Sequence, residues 1–377
     1  MKFVFPLQVD LARSRGSIVH DELSGHGYLD LFGLYSSLPL GYNHPIFGAD
    51  FFADVCEVAS VRLATNVFRH RFIDRFVRAF RPHLFSDRIH LSCTGALAVE
   101  SAIKVAMERR KLKHPRVLSI ENSFHGVNAW GLPTSRVGAT ARRMEWFPKS
   151  DWPCLPLDAA IAWLRSGETD DVVAVIVEPI QATSGDIYLA PEKLQELASI
   201  ANAKGICVIM DEIQSGFGVT GRMWYAEHLG VTPDILVFGK KSQVCGLCAS
   251  EEYAEIFESP FQKLDVTFDG DLIDMVRATY VLRAIDTNDI LRNVLALSAA
   301  FEAALAPVVE GYRSRGCLIA FDLPDTASRD AFVSRCFASR VLVNKAGERS
   351  IRLRPHLAMR PEEAAPFFDL VRAQARW

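Results

Sequence analysis

The stretch VFGKKSQVCG, Val237 to Gly246, sets two adjacent lysines directly after an apolar run. A strand that ends this way usually ends in water, with both ammonium groups hydrated. The alternative is that one amine bonds covalently to a cofactor carbonyl. Periodicity alone does not choose between Lys240 and Lys241. Three further groups bear on the question. DEIQSGFG supplies Asp211 and Gln214 after an apolar run, ENSFHG supplies Phe124 and His125, and GALAVESA opens a helical pattern with Gly95 and Ala96. Singly each is commonplace: an Asp-Glu pair usually starts a solvated loop, and a Phe-His pair is usually core plus surface. Together they describe a pocket for pyridoxal phosphate. A lysine forms the Schiff base with the cofactor aldehyde, and an ionised aspartate keeps the pyridine nitrogen protonated so that the ring accepts electrons. A nearby cation favours that ionised carboxylate. Free N–H groups at a helix start bind phosphate, and an aromatic side chain stacks on the ring.

These groups need a frame that brings them to one edge. RVLSI (116–120), VVAVIVEP (172–179), GICVIMDE (205–212) and DILVFG (234–239) have strand length and no helical alternation. Between the second and third, APEKLQELASIANAKG opens a helix after Pro191 that stops at Gly205. Continuously apolar strands separated by a helix predict a parallel sheet covered on both faces. Such sheets bind ligands beyond the carboxyl ends of their strands, where Phe124, Asp211 and the two lysines fall. A helix over 95–113 ends in Arg and Lys, as its dipole favours. The last third differs. A long helical region (273–309) leads into short strands within GCLIAFDLP, VLVNK and SIRLRP, and a helix begins near Pro361. That is an α+β module on an α/β core.

The 377 residues exceed what one growing core accommodates, so more than one subdomain is expected. Hydrophobic residues at 49% and charged ones at 23% are those of an ordinary globular chain. A net charge of −3, with no basic stretch interleaved with aromatics, argues against a nucleic-acid partner. The apolar start is too short for a signal peptide and no run of about 18 apolar residues occurs, so no membrane span and a cytoplasmic location are expected. Eight scattered cysteines read as reduced thiols. The CGLC pair, Cys245 and Cys248, lacks further ligands for zinc and a redox frame, so no metal is expected.

The motifs in combination resemble the class III (ornithine-type) pyridoxal-phosphate-dependent aminotransferases and, within them, the L-lysine 6-aminotransferase branch. The resemblance rests on DEIQSGFGVTG with the first lysine of PDILVFGKK 29 positions after its aspartate, and on GYNHP, GALAVESAIK, FPKSDWP and FGKKSQVCG. With DLARSRGSIVHDELSGHGYLDLFGLYSS it runs from about residue 9 to the C-terminus. It implies fold type I: a large domain over 41–275 and a small domain over 276–377 joined by the N-terminal segment 1–40. The family spacing selects Lys240 as Schiff-base lysine and proton shuttle. Asp211 becomes the pyridinium partner, Gln214 the donor to the phenolic oxygen, and Phe124 and Ile213 the two ring faces. Gly95 and Ala96 become phosphate donors, and Glu178 a residue near the cofactor. Thr267 matches a threonine that reaches the neighbouring subunit's phosphate, which implies a homodimer with shared active sites.

Substrate recognition departs from the pattern. The lysine branch follows FHG with an arginine for the substrate carboxylate, where this chain has Val127; the family's EPIQGE ends in a glutamate where this chain has Thr183. Arg352 and Arg354 in SIRLRPHL remain to bind a carboxylate. The chain is shorter than usual, with trimmed loops expected near 110–116 and 140–172. The implied activity moves an amino group from a terminal amine, L-lysine first among candidates, to a keto acid such as 2-oxoglutarate. The alternative keeps the cofactor but takes another amine or follows non-transamination chemistry in specialised biosynthesis.

Overall fold

The computed structural model describes residues 3–137, 150–258 and 264–374; parts of FPKSDWP and of the 140–172 stretch lie outside them. Two compact units divide the chain. One comprises Ala53–Phe217 and Arg222–Arg283; the other comprises Met1–Phe52, Gly218–Gly221 and Ala284–Trp377. The divisions at 52 and 283 fall inside the helices Ala49–Val58 and Leu272–Thr287, so no linker composition marks them.

The larger unit is built on a seven-stranded sheet in the order Arg88–Ser92, Cys245–Ala249, Ile235–Phe238, Cys207–Asp211, Val172–Val177, Arg116–Ile120, Cys154–Leu155. The four apolar runs read from the sequence form its parallel middle. Val172–Val177 has all six residues buried, as a run of β-branched side chains covered on both faces requires. The helix Pro191–Ala203 crosses between two of these strands and buries Leu194, Leu197, Ala198 and Ala201. The helix Gly95–Arg110 packs Ala98, Ala102, Val105 and Ala106 into the same core as Val173 and Ile209. It stops at Lys111, which takes a left-handed conformation, rather than at 113. Each fully buried Val or Ile here contributes about 1.5–3 kcal/mol of hydrophobic stabilisation.

Three strands of this sheet escaped the sequence reading. Arg88–Ser92 is half polar, Cys154–Leu155 has two residues, and Cys245–Ala249 coincides with the CGLC pair. The last runs antiparallel to both neighbours. Cys245 and Cys248 are three apart on this strand and therefore face opposite sides of the sheet, which rules out a dithiol between them.

The smaller unit holds two four-stranded sheets. In the first, Val9–Arg15, Ile18–Asp21 and Gly27–Asp30 are joined by the parallel Val341–Leu342, which ties the N-terminal segment to the last third. The second is antiparallel: Glu310–Arg315, Leu318–Asp322, Ser350–Leu353 and Asn344–Ala346. The single helical region expected over 273–309 is two helices, Leu272–Thr287 and Ile290–Leu305, separated where Asp289 adopts φ 49°. No helix among the described residues is long and apolar enough to cross a membrane.

Candidate active site

Strand ends of the larger unit deliver their side chains to one cavity of about 400 Å³, within the range of small-ligand sites. At the end of Ile235–Phe238 the chain breaks into a short 3-10 turn, with the Gln243 N–H donating to the Lys240 carbonyl at 2.9 Å. Lys240 sits there with φ 54°, a left-handed conformation that costs a non-glycine residue about a kcal/mol and persists where surrounding structure imposes it. The turn separates the two lysines. Lys240 lines the cavity, whereas Lys241 is 1% exposed and outside its lining.

Cys207–Asp211 ends in a carboxylate held on both sides. Asp211 Oδ1 accepts the Ile213 N–H at 3.2 Å, and Oδ2 lies 2.8 Å from His125 Nδ1. An ionised carboxylate only accepts, so Nδ1 carries the proton and donates it to Oδ2. His125 is itself locked, its N–H donating to Ser135 Oγ at 2.7 Å in a fully buried site. Glu178 closes the arrangement: Oε2 accepts from the Phe124 N–H at 2.9 Å and Oε1 from the Ala182 N–H at 2.6 Å. Burial, followed by the nearby Asp211 charge, pushes the Glu178 carboxyl up to about 7.

The helix Gly95–Arg110 starts at this cavity. Thr94 caps it, its Oγ1 accepting from the Leu97 N–H at 3.3 Å, and the Ala98 N–H donates to the Thr94 carbonyl. The N–H groups of Gly95 and Ala96 find no acceptor among the described residues. Two uncommitted donors at a helix N-terminus make an anion site where they face a cavity. A Cβ on Gly95 would come within 2.8 Å of Ile213 Cδ1, so the glycine lets Ile213 close down on the helix start. Phe124 and Ile213 are both half-buried and line the cavity.

The sequence-derived residues thus separate into three groups. Gly95, Ala96, Phe124 and Glu178 line the cavity with Asp211, Ile213, Gln214 and Lys240. Val127 and Thr183 line it as well, Val127 at 53% exposure. Thr267 lies in an exposed turn outside this lining. Arg352 and Arg354 belong to the smaller unit. Arg354 is fully buried there, and its Nη1 donates to the Leu353 and Ile319 carbonyls. The sequence reading gave His125 no role; the signal was its place beside Phe124, but only the folded sheet shows that it meets Asp211.

These features fit pyridoxal phosphate. An anion site, a buried carboxylate fixed by an imidazole, a lysine and two apolar walls share one cavity of suitable size. Comparison with known proteins gives the same answer. The family model for class-III aminotransferases matches residues 4–373. The L-lysine-epsilon aminotransferase of Amycolatopsis lactamdurans is 32% identical over 413 aligned positions, covering 95% of this chain and 90% of that protein. The corresponding protein of Streptomyces clavuligerus is 33% identical, with 95% and 88% covered. The 413 aligned positions exceed the 377 residues here, so the Amycolatopsis protein carries residues without a counterpart. Among solved structures, the lysine aminotransferase of Mycobacterium tuberculosis in the internal aldimine form superposes with a TM-score of 0.91 at 30% identity, covering 99% of this chain and 96% of that one. The fold is that of the type I pyridoxal-phosphate enzymes, and pyridoxal phosphate is the cofactor. The chain belongs to the class-III aminotransferases.

Proposed function

We propose that this enzyme transfers the terminal amino group of L-lysine to a keto acid such as 2-oxoglutarate. The observation that carries the reading is the cavity that joins Lys240 to the His125–Asp211 pair and the free Gly95 and Ala96 donors. Lysine itself rests on the likeness to the lysine aminotransferases of Amycolatopsis, Streptomyces and Mycobacterium. When bound, pyridoxal phosphate supplies an aldehyde that condenses with amines and a ring that takes up electrons. The residues of the chain do the rest. Gly95 and Ala96 hold the phosphate through their N–H groups. Phe124 and Ile213 would confine the ring, and Gln214 would donate to its phenolic oxygen. Asp211 keeps a negative charge against the ring nitrogen, and His125 keeps Asp211 in place. Lys240, the lysine of the cavity lining, would hold the cofactor through its amine and, as a free amine, would move the proton taken from the substrate carbon.

The reading includes a large cofactor domain, a small domain formed by both ends of the chain, and a cytoplasmic homodimer. In that dimer Thr267 meets the phosphate of the partner subunit. Support for the dimer comes from the surface beside Thr267. Val61, Val67, Phe68 and Val266 are 64, 67, 62 and 48% exposed, and Asn66 Nδ2 donates to the Val266 carbonyl at 3.1 Å. Apolar groups exposed together mark an interaction surface. Arg352 is the arginine proposed for a substrate carboxylate, because Arg354 is committed to backbone carbonyls.

Val127 favours a second reading, in which the donor is another amine or the chemistry is not transamination. An exposed apolar side chain stands at the cavity where an arginine would hold the lysine carboxylate. Incubation of the holoenzyme with L-lysine and 2-oxoglutarate separates the readings. Glutamate and an aldehyde in equal amounts are expected. Glutamate from another amine but not from lysine replaces the substrate, and amine consumption without glutamate replaces the reaction.

A further inference from the structure

Outside the cofactor cavity, three metal-ligating side chains meet with little else to hold them. His90 lies in the middle of the edge strand Arg88–Ser92, and Asp265 and Asp269 flank Thr267 in the turn that precedes the helix Leu272–Thr287. One ligand atom from each lies within 4.8 Å of the other two. His90 Nδ1 is 3.9 Å from Asp265 Oδ1, too far for a hydrogen bond. The other ring nitrogen, Nε2, is buried without a hydrogen-bond partner in a side chain only 8% exposed. Asp265 has no other ion pair or hydrogen bond among the described residues. Asp269 is 6% exposed, and its one hydrogen bond is from the Val266 N–H to Oδ2 at 2.6 Å. Lys104 is the cation whose field reaches His90 and Asp269, yet it forms no ion pair with either carboxylate among the described residues.

His90 and Asp269 are buried while Asp265 stays 27% exposed, and with no cation paired to them among the described residues a metal ion shared among the three would offset the cost of burying the two carboxylates near each other. Two ligands each 2.0–2.2 Å from one ion lie about 3–3.6 Å apart, so the 3.9 Å between His90 Nδ1 and Asp265 Oδ1 would close by a few tenths of an ångström around an ion. One nitrogen and two carboxylate ligands suit Mn²⁺ or Zn²⁺, with water filling the remaining positions.

We propose that His90, Asp265 and Asp269 form a binding site for a divalent first-row metal ion. The ion clips the turn that carries Thr267 to the strand that runs through Ser92 and Cys93 into the Thr94 cap of the phosphate-facing helix. Metal binding thereby fixes Thr267 without taking part in the reaction. The proposal is independent of the substrate reading.

The probe is Mn²⁺ alone, because the eight cysteines give Zn²⁺ other places to bind. Holoenzyme stripped with a chelator is titrated with Mn²⁺ while free ion is followed by electron paramagnetic resonance. One ion per chain is expected. Asp265→Asn should weaken binding by about tenfold or more, comparable to losses at other ligand shells, with the cofactor absorbance unchanged. No saturable binding, or equal affinity in Asp265→Asn, overturns the site; the former is the outcome if a cation of a second copy occupies the cluster. Should Asp265→Asn fail to fold, anomalous diffraction from Mn²⁺-soaked wild-type crystals decides. A peak between His90 and Asp265 supports the site, and a peak elsewhere or none overturns it.

Discussion

The strand-end wall of the cavity and its rim are held in opposite ways. Glu178, Asp211 and His125 are at most 5% exposed, and each is fixed by hydrogen bonds from separate segments of one unit. Val127 is 53% exposed and Thr183 half-buried, and neither presents a charge. A buried, mutually satisfied network resists change because losing one member leaves the others unpaired. A rim of neutral side chains tolerates substitution, and specificity is free to drift there. On the proposed function, the wall would fix the chemistry and the rim the substrate.

The largest effect should come from Lys240. Lys240→Ala should lower turnover by about 10⁴-fold or more and abolish the covalent cofactor adduct that borohydride traps at that peptide. Lys241→Met should keep the adduct, because Lys241 lies outside the cavity lining. An adduct on Lys241 in the wild type would reverse the assignment. Asp211→Asn should lower kcat by about 10³-fold, as expected when a preorganised charge is removed from a water-excluded site. His125 acts through Asp211, so His125→Phe should cost about 10²-fold in kcat with KM little changed. Restoration by a variant that donates from the Nδ1 position, His125→Asn, distinguishes positioning from simple packing.

At the rim the effects shrink and can change sign. Val127→Arg should raise kcat/KM for L-lysine by about tenfold, the worth of one charge-assisted hydrogen bond. Unchanged kinetics with lysine, measured alongside an amine lacking a carboxylate, would show that the donor is not held there.

Much of the wall was legible in the sequence because each part has a local signature. An apolar run followed by Asp-Glu, a glycine-led helix and a lysine after a strand are readable one at a time, and family spacing chose between the lysines. His125 was not legible, since its partner Asp211 is 86 positions away and meets it only through the parallel sheet. The edge strand Arg88–Ser92 was missed because its alternation of Arg, His and Ser with Ile and Leu is too short to stand out. Arg352 and Arg354 read alike in the sequence, and only the fold shows that Arg354 is fully buried with its Nη1 on the Leu353 and Ile319 carbonyls. Type and spacing expose local chemistry; they do not report which charges the fold has already used.

The smallest effect on activity should come from Glu212, one residue beyond Asp211. Along a strand end, neighbours face opposite ways, so Asp211 enters the cavity while Glu212 turns into the body of the unit. There it accepts from the N–H groups of Tyr225 and Ala226 at 2.6 and 2.8 Å and from Ser215 Oγ at 3.3 Å. Burial pushes its carboxyl up to about 7 despite these donors. The native state therefore binds this proton more tightly than the unfolded chain, whose carboxyl titrates near 4.5. Stability from this group is complete below about 4.5 and is lost as pH rises towards 7. Relative to Glu212→Gln, the wild type should lose up to about 1.4 kcal/mol per pH unit across that window. Denaturant melts of both proteins at pH 5 and pH 7 measure the difference. Parallel pH profiles would mean that Glu212 stays ionised throughout, held by its three donors. The two carboxylates would then differ in what they face and not in how the fold sets their charge.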